Sequence, residues 1–465
     1  MNLRKFPRAI VLGGGICGLA TATVLGRHFE QVTVIEQDRY SDAPAPRLHA
    51  PQGAHIHILL AGGLLTLTRL VPRLPSLLDD LGVQSGDLTE HTRVAYNGRW
   101  LPRVHSGIPI RVCTRGDVEQ ALLRDARTRP QITLRDGTRL LGLAYRDRVT
   151  GVRVAGPDGI EEELSADLVV DTMGRSSCSV RLLGEMGLPA VDEIRVDPSI
   201  GYATAWFEEP AGIDDDWGVL ATLPAFPNGA QMSAIIRFRS SRRLHCSVIT
   251  YGKPQAPRSP EDLVARLGTF DVPQLHRLLQ RAKPLSDVAL YGNTQNRWRR
   301  FGRLSRFPDG LVILGDAACS LNPRYGQGMT VAALSAEALE RELAVYAAQR
   351  GSLHGFSHHF QRRLESVLTV PWQMALLEDR LWVAHFSGQP PSLIQRVLQA
   401  GSARLLQAAF TDIQTYIAFM RVAHLLSPPT ALLTPRTFAR MAAPAAAAAS
   451  DATSAERDAP GIGPA

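Results

Sequence analysis

The chain has 465 residues, enough for two or three domains, and its 45% hydrophobic and 20% charged residues are those of an ordinary folded protein. Its formal net charge of +7 comes almost entirely from arginine, because Lys5, Lys253 and Lys283 are the only lysines. The arginines are scattered, which argues against a nucleic-acid surface. Five widely spaced cysteines without a CxxC pair, no run of about 18 apolar residues, and a first strand within nine residues of the start argue against a disulfide framework, a membrane span and a signal peptide; a reducing, cytoplasmic setting is expected.

Residues 9–12 form a short apolar run, as in a strand covered on both faces. They lead into Gly13-Gly14-Gly15-Ile16-Cys17-Gly18, a G-x-G-x-x-G turn that opens an apolar helix. A second strand over residues 32–35 ends in Glu36, 18 residues after Gly18. Each part has a task in dinucleotide binding. Gly13 permits the tight turn, Gly15 lets backbone approach a pyrophosphate, Gly18 lets helix and strand pack closely, and Glu36 accepts hydrogen bonds from ribose hydroxyls. The helix N-terminus adds N–H groups and the positive end of a dipole.

A Pro-rich segment follows, with Arg47 placed to meet a phosphate and His49, His55 and His57 close together. On a strand His55 and His57 would share a face, but no carboxylate or cysteine completes a metal set, so packing and hydrogen bonding are expected and no metal. Residues 64–81 read as one or two helices broken by Pro72 and Pro75, and residues 93–103 as strands turning at Asn97-Gly98. A strand at 108–113 leads to a helix capped by Thr114, with Arg115 at its start. Three short strands occupy residues 131–154. One apolar strand is expected at 164–170, ending in Asp171 and a glycine turn that delivers polar groups to the carboxyl edge of the sheet.

Residues 191–253 alternate as an antiparallel sheet does, and 259–280 read as helices begun by Ser259-x-x-Asp262. Residues 309–316 form one more buried strand ending in Gly315-Asp316, before a glycine loop at 326–328 and a long helix. The remainder to about 440 is helical, and 442–465, aperiodic Ala, Pro, Ser and Asp, is read as disordered.

Three signatures, GGGICG with Glu36, DLVVDTMGRSS, and GLVILGDAACSLNPRYGQGM, together resemble the single-component FAD-dependent monooxygenases over residues 8 to about 400. The segment RLHAPQGAHIHILLAGG is similar to bacterial flavin epoxidases of polyether biosynthesis. The resemblance implies an α/β protein: a Rossmann-like FAD-binding domain, an inserted antiparallel sheet as substrate domain, and a helical C-terminal region. The expected division is 1–190 (with a substrate-side insertion at about 75–112) and 286–345 for FAD, 191–285 for substrate, and 346–441 for the C-terminal helices.

By position, the resemblance assigns Gly13, Gly15, Gly18 and Glu36 to the ADP half of FAD and Leu140 to the adenine through its backbone. Arg115 falls on the flavin side, Asp316 on the ribityl chain, and Gly326 to Gly328 and Met329 at the flavin N1/C2 edge. NAD(P)H would reduce FAD, and O2 would form a C4a-hydroperoxide that oxygenates a C=C or aromatic carbon of a lipophilic secondary metabolite. Epoxidation needs no protein base; for hydroxylation Arg47, His55 and His57 are the candidates. The middle signature, Asp171-Thr172-Met173-Gly174-Arg175, is closer to the epoxidase and halogenase branches, but no Trp-x-Trp motif and no suitably placed lysine support a halogenase. A reductase of the geranylgeranyl reductase type is the alternative, and the need for a separate flavin reductase is left open. The C-terminal helices, 393–426, are expected to pack on the flavin domain, with a membrane surface as the lesser reading.

Overall fold

In the chain's computed structural model, residues 5–442 are described, apart from 46, 214, 253 and 254. The reading of 443–465 as disordered therefore lies outside the described residues, while residue 442 closes a helix. The glycine turn joins β1 (Phe6–Leu12) to α1 (Ile16–His28), and the chain returns through β2 (Phe29–Ile35). Helices α2 (Ala61–Leu70) and α3 (Leu74–Asp80) follow, parted around Pro72, with Pro75 in the first turn of α3.

Next come β3 (Gln84–Asp87), α4 (Leu88–His91), β4 (Thr92–Tyr96), β5 (Arg99–Trp100) and β6 (Pro109–Val112). The β4–β5 turn holds Asn97 and Gly98 at φ 50° and 71°, the left-handed pair that a two-residue hairpin demands. Helix α5 (Arg115–Arg127) starts with a capping box between Thr114 and Asp117.

Strands β7 (Ile132–Arg135), β8 (Arg139–Tyr145), β9 (Val149–Ala155), β10 (Glu161–Ser165) and β11 (Leu168–Asp171) follow. The single strand expected at 164–170 is in fact two. At Ala166-Asp167 the chain leaves one sheet for another: Ala166 N–H donates to Thr150 O, and Asp167 N–H to Arg8 O. Strand β10 is largely exposed and only Leu164 at its end is partly buried, whereas Leu168–Asp171 are fully buried, so the expected strand joins the end of one strand to the whole of the next.

Helix α6 (Ser179–Glu185) leads to β12 (Glu193–Val196), β13 (Gly201–Glu208), β14 (Val219–Thr222), β15 (Gln231–Phe238) and β16 (Arg243–Thr250). Helices α7 (Pro260–Leu267) and α8 (Pro273–Gln280) precede β17 (Ala289–Tyr291), β18 (Asn296–Arg299), β19 (Leu311–Ile313) and β20 (Cys319–Ser320). The chain ends in α9 (Gln327–Arg350), α10 (Phe356–Phe386), α11 (Leu393–Ala409), α12 (Ile413–Ala423) and α13 (Pro435–Ala442).

Strands β19-β11-β1-β2-β7 form a parallel sheet, in which Leu12 pairs with Asp171 and with Ile35, and Asp171 with Ile313. The carboxyl ends are thus level, and they open on one crevice where a doubly wound sheet binds its ligand. Helices α1 and α9 pack together beside this sheet in one core with β1, β2, β11 and β19.

A seven-stranded sheet, β17-β13-β16-β15-β14-β4-β5, roofs the other side. It draws strands from outside residues 191–285: β4 and β5 come from the earlier insertion and β17 from beyond. Pairing is antiparallel except between β14 and β4. Its outer face is closed by Leu263, Leu267, Leu275, Leu278 and Leu279 of α7 and α8. No helix of the described residues is long and apolar enough to cross a membrane.

The C-terminal helices pack only in part. Leu405, Ala408 and Ala409 of α11 are buried, but the first two turns of that helix turn their apolar side outward. This departs from the expectation that the whole segment seals against the flavin domain.

Candidate cofactor cleft

The crevice at the carboxyl edge of the parallel sheet is a cleft of about 680 Å³. Most of the residues assigned to the cofactor or weighed as a base line it: Gly13, Gly15, Glu36, Leu140, Arg47, Arg115, His57, Asp316, Gly326, Gly328 and Met329. Gly18 and His55 do not.

The glycines act through backbone geometry. Gly13 sits at φ +93°, a conformation side chains resist, and a Cβ there would come 2.9 Å from Thr172 O. Gly18 is locked against β1, where a Cβ would fall 1.8 Å from Gly13 O. At Gly15, the N-cap of α1, no side chain caps the helix, and the nearest atom to an added Cβ is Arg47 Nη2 at 3.2 Å, with Arg115 Nη2 and the Glu119 Oε1 that pairs with both arginines at 3.5 Å. An uncapped helix N-terminus beside two guanidinium groups suits a pyrophosphate.

Glu36 is buried, and its two oxygens accept from Gly14 N at 2.7 Å and Asp38 N at 2.9 Å. Each oxygen keeps a lone pair for a ribose hydroxyl. Arg47 bridges two acids, Nη1 lying 3.1 Å from Glu36 and Nε 3.3 Å from Glu119, yet neither nitrogen makes a well-directed hydrogen bond. Burial alone would raise the Glu119 carboxyl, but Arg115 and Arg47 hold it below the usual range. Arg47 is therefore a fixed cation and no base. Leu140 lies on β8, an edge strand with an irregularity between Leu140 and Gly142, so backbone groups there are free of a second strand.

Asp316 follows Gly315, which turns the chain at φ +61°. Burial raises its carboxyl, against the pull of Arg175, Arg115 and Arg297. Among the described residues it has no hydrogen-bond partner, an orphan acceptor aimed at the cleft that fits a polyhydroxylated chain. A Cβ at Gly328 would lie 4.0 Å from Asp316 Oδ1, so the N-terminal turn of α9 flanks the acid. The loop before it turns at Gly326, φ +64°, where an added Cβ would meet Ile58 O at 3.2 Å.

The histidines separate. His55 and His57 are not on a strand: a short turn, Pro51–Ala54, precedes them. His55 is buried against the roof sheet, with Nδ1 2.8 Å from Thr204 Oγ1, which is itself 2.6 Å from Ser247 Oγ. Its ring also meets Tyr202 and Tyr291. As a candidate base it is therefore corrected to a packing residue that pins residues 51–57 on the sheet. His57 reaches the cleft and shares its Nδ1 with His55 O at 2.9 Å, which leaves Nε2 as an acceptor. Burial and then Arg115 push it down to about 4, so it is neutral at ordinary pH and a weak base. Replacing His57 by Gln will leave the pH profile of cofactor reduction without a lost inflection between pH 5 and 8; an inflection present only in the parent would overturn this reading. His49 instead pairs with Asp38 at 2.5 Å. Among the described residues the only group spaced like metal ligands is Asp87, Glu90 and His105, away from the cleft.

Burial lowers His55, His57 and His424 to about 4 and His245 to about 3. Unfolded histidine titrates near 6.5, so as pH falls through that value the unfolded chain gains protons that the native chain refuses. Stability should drop between pH 6.5 and 4, and His424→Asn should reduce the slope of unfolding free energy against pH by about one proton. A denaturant series across that range measures it, and an unchanged slope would contradict the assignment.

Two buried acids stand apart from the sequence reading, one placed differently and one unmarked by any motif. Asp171 does not face the cleft: it is fully buried and accepts from Met173 N at 2.8 Å and from the Ser177 and Ser179 hydroxyls, tying down its own turn. Thr172, Met173 and Arg175 line the cleft in its place, with Arg175 donating to Gln295 O at 2.9 Å and Leu321 O at 2.6 Å. Asp379 of α10, also fully buried, accepts from Asn296 Nδ2 at 2.6 Å, Tyr325 OH at 3.0 Å and Asn322 Nδ2. It fastens the loop that precedes α9, and no motif marks it in the sequence.

The family described as FAD binding domain matches residues 8–367. Protein Rv3254 of Mycobacterium tuberculosis (strain ATCC 25618 / H37Rv) is 29% identical over 423 residues, 87% of this chain and 86% of that protein. The 6-methylpretetramide 4-monooxygenase of Streptomyces rimosus is 26% identical over 346 residues, 69% of this chain and 71% of that protein. Among solved structures, the flavin-dependent brominase Bmp2 aligns with a TM-score of 0.60 at 16% identity, covering 84% of this chain and 92% of that one. At that identity the likeness is one of fold.

Proposed function

The chain belongs to the FAD binding domain family and is an FAD-dependent monooxygenase, and from that premise we propose that it epoxidises or hydroxylates a lipophilic secondary metabolite at a C=C or aromatic carbon. The overall reaction consumes substrate, O2, NAD(P)H and a proton, and gives oxygenated product, NAD(P)+ and water. Bound FAD supplies electron transfer from NAD(P)H and the activation of O2.

The chain's own residues bind, orient and exclude water. The α1 N-terminus and Arg47 would take the pyrophosphate, Arg115 the flavin side of the cofactor, Glu36 the ribose, Leu140 the adenine, and Asp316 the ribityl chain. The N-terminal turn of α9, at Gly328 and Met329, would turn the positive end of its dipole toward the flavin and favour negative charge on its reduced form.

The observation that supports the substrate class is the apolar part of the cleft lining, Ile56, Ile58, Tyr291, Leu321 and Pro323, which stands beside His57, Asn293, Arg115 and Arg175. These residues offer apolar contact, and the two arginines beside them are already engaged, Arg175 with Gln295 O and Leu321 O and Arg115 with Glu119, which leaves them less suited to a substrate carboxylate. His57 Nε2 can accept from a substrate hydroxyl without removing its proton. The Streptomyces rimosus relative, by its name a monooxygenase of 6-methylpretetramide, agrees with an aromatic polyketide class.

Asp316→Ala removes a charged acceptor, worth about 1.5–3 kcal/mol, and should weaken FAD binding roughly 10- to 100-fold. Fluorescence titration with FAD reads this, and an unchanged affinity would remove Asp316 from the site. The substrate class is tested by NAD(P)H oxidation and O2 uptake with apolar aromatic polyketides against small hydroxybenzoates. Coupled turnover confined to the hydroxybenzoates would overturn it.

A further inference from the structure

The first two turns of α11 are amphipathic the wrong way round. Leu393, Ile394, Val397 and Leu398 are 68%, 72%, 62% and 45% exposed, while Gln395 and Gln399 between them are partly buried. At helical spacing these four aliphatic side chains share one face. The adjoining α13 lies alongside, with the Met441 methyl 4.0 Å from where a Cβ would stand at Gly401, and it exposes Phe438 at 54%. Leu433, just before α13, is 64% exposed. Four exposed aliphatic side chains gathered on one helix face, with further exposed apolar residues on the neighbouring helix, mark a binding surface rather than ordinary exterior.

Charge indicates what covers it. Residues 387–442 carry five arginines (396, 404, 421, 436 and 440) and a single acid, Asp412, a net of +4 with His424 neutral. That acid is already engaged, with Arg436 Nη2 2.7 Å from its carboxylate. We propose that the outward face of α11, with Phe438 of α13, docks on an anionic phospholipid surface, the aliphatic side chains entering among the acyl chains and the arginines meeting headgroup phosphates.

A second copy of the chain is disfavoured as occupant, because two such faces would bring like charge against like. Residues 443–465 contain one large aliphatic side chain, Ile462, too little to cover the face. The next helix, α12, packs on α11 and places Tyr416 and Met420 in a cluster that Ile56 and Ile58 of the cleft lining pack against, so α12 connects α11 to the substrate side. The inference stands without the proposed substrate, since the face and its charge are independent of the cleft.

The test is flotation of the full chain, loaded with FAD, with vesicles of equimolar phosphatidylcholine and phosphatidylglycerol and with phosphatidylcholine vesicles alone. The expected result is flotation with the anionic vesicles, weakened by salt, and a loss of at least about tenfold in Ile394→Asp/Val397→Asp with circular dichroism and FAD content unchanged. Absence of binding to either vesicle, or binding unaltered in that variant, overturns the proposal. A concentration-dependent dimer abolished by the same variant, without flotation, assigns the face to a second copy and also overturns it. So does flotation seen only after removal of residues 443–465, which assigns the face to that segment.

Discussion

Replacing Gly18 by alanine will cost the protein its FAD site and much of its stability. An added methyl would stand 1.8 Å from Gly13 O and 2.8 Å from Thr172 Oγ1. Neither neighbour can step aside. Gly13 N–H donates to Ile35 O at 2.8 Å, and Thr172 Oγ1 lies 2.8 Å from both Leu12 O and Gly13 O, so the turn is held on three strands. Helix α1 would have to lift off β1, where Leu19, Ala20, Ala22, Val24 and Leu25 are buried. Overpacking of a core costs about 1–3 kcal/mol, and a clash against fixed backbone belongs at or beyond the top of that range. Gly184→Ala is the control: nothing lies within 4 Å of its added methyl, and stability should hold or rise by about 0.4–1 kcal/mol. Thermal unfolding and FAD titration of both variants decide it. A Gly18→Ala protein that melts like the parent and binds FAD fully would contradict the packing argument.

Asp379→Ala has the second large effect. It strands two amide donors and a tyrosyl hydroxyl from Asn296, Asn322 and Tyr325, beside the Arg324–Glu378 pair at 2.7 Å. Buried donors left unsatisfied cost about 1–3 kcal/mol each, so a loss of about 3–5 kcal/mol is expected. Because Asn322 and Tyr325 lie in the loop before α9, FAD affinity should fall as well, although Asp379 is not among the residues lining the cleft. Asp379→Asn separates shape from charge.

Burial raises the Asp379 carboxyl to about 6, above its unfolded value near 3.8. The native state thus holds this proton more tightly between those limits, and the contribution of Asp379 falls as pH rises from 4 to 6. The stability advantage of the parent over Asp379→Asn should narrow across that window, opposite in sign to the histidine effect. A pH-independent difference between the two would show that Asp379 does not titrate there.

Much of this was legible in the sequence because local physics and tertiary role coincide. The glycine turn, the acid closing β2 and the Gly315-Asp316 strand end are short-range patterns, and each lies at the edge where a parallel sheet binds its ligand. Asn97-Gly98 and Thr114-x-x-Asp117 were readable for the same reason, since turn and cap chemistry are satisfied within four residues. Partnerships across the chain were not. Nothing in residues 92–96 announces a parallel pairing with 219–222, because a pleated apolar strand looks the same beside any neighbour. Alternation likewise could not separate His55 from His57, once an irregular segment rather than a strand carried them. Asp379 is invisible because its three donors lie 54 to 83 residues earlier, and an acid in a long helix reads as a solvated face. The outward face of α11 is hidden in the sequence because an apolar stripe is expected to find a core inside its own chain.

The most direct test of the oxygenase account is the fate of labelled O2. FAD-loaded protein, NADPH or NADH and a panel of apolar aromatic polyketides and polyenes would be incubated under isotopically labelled oxygen and the products weighed by mass spectrometry. The account predicts one labelled oxygen atom per product molecule, with NAD(P)H and O2 consumed in equal amounts. Products that gain or lose only hydrogen, with no label incorporated, would contradict it and mark the chain as a flavin-dependent reductase or dehydrogenase on the same fold.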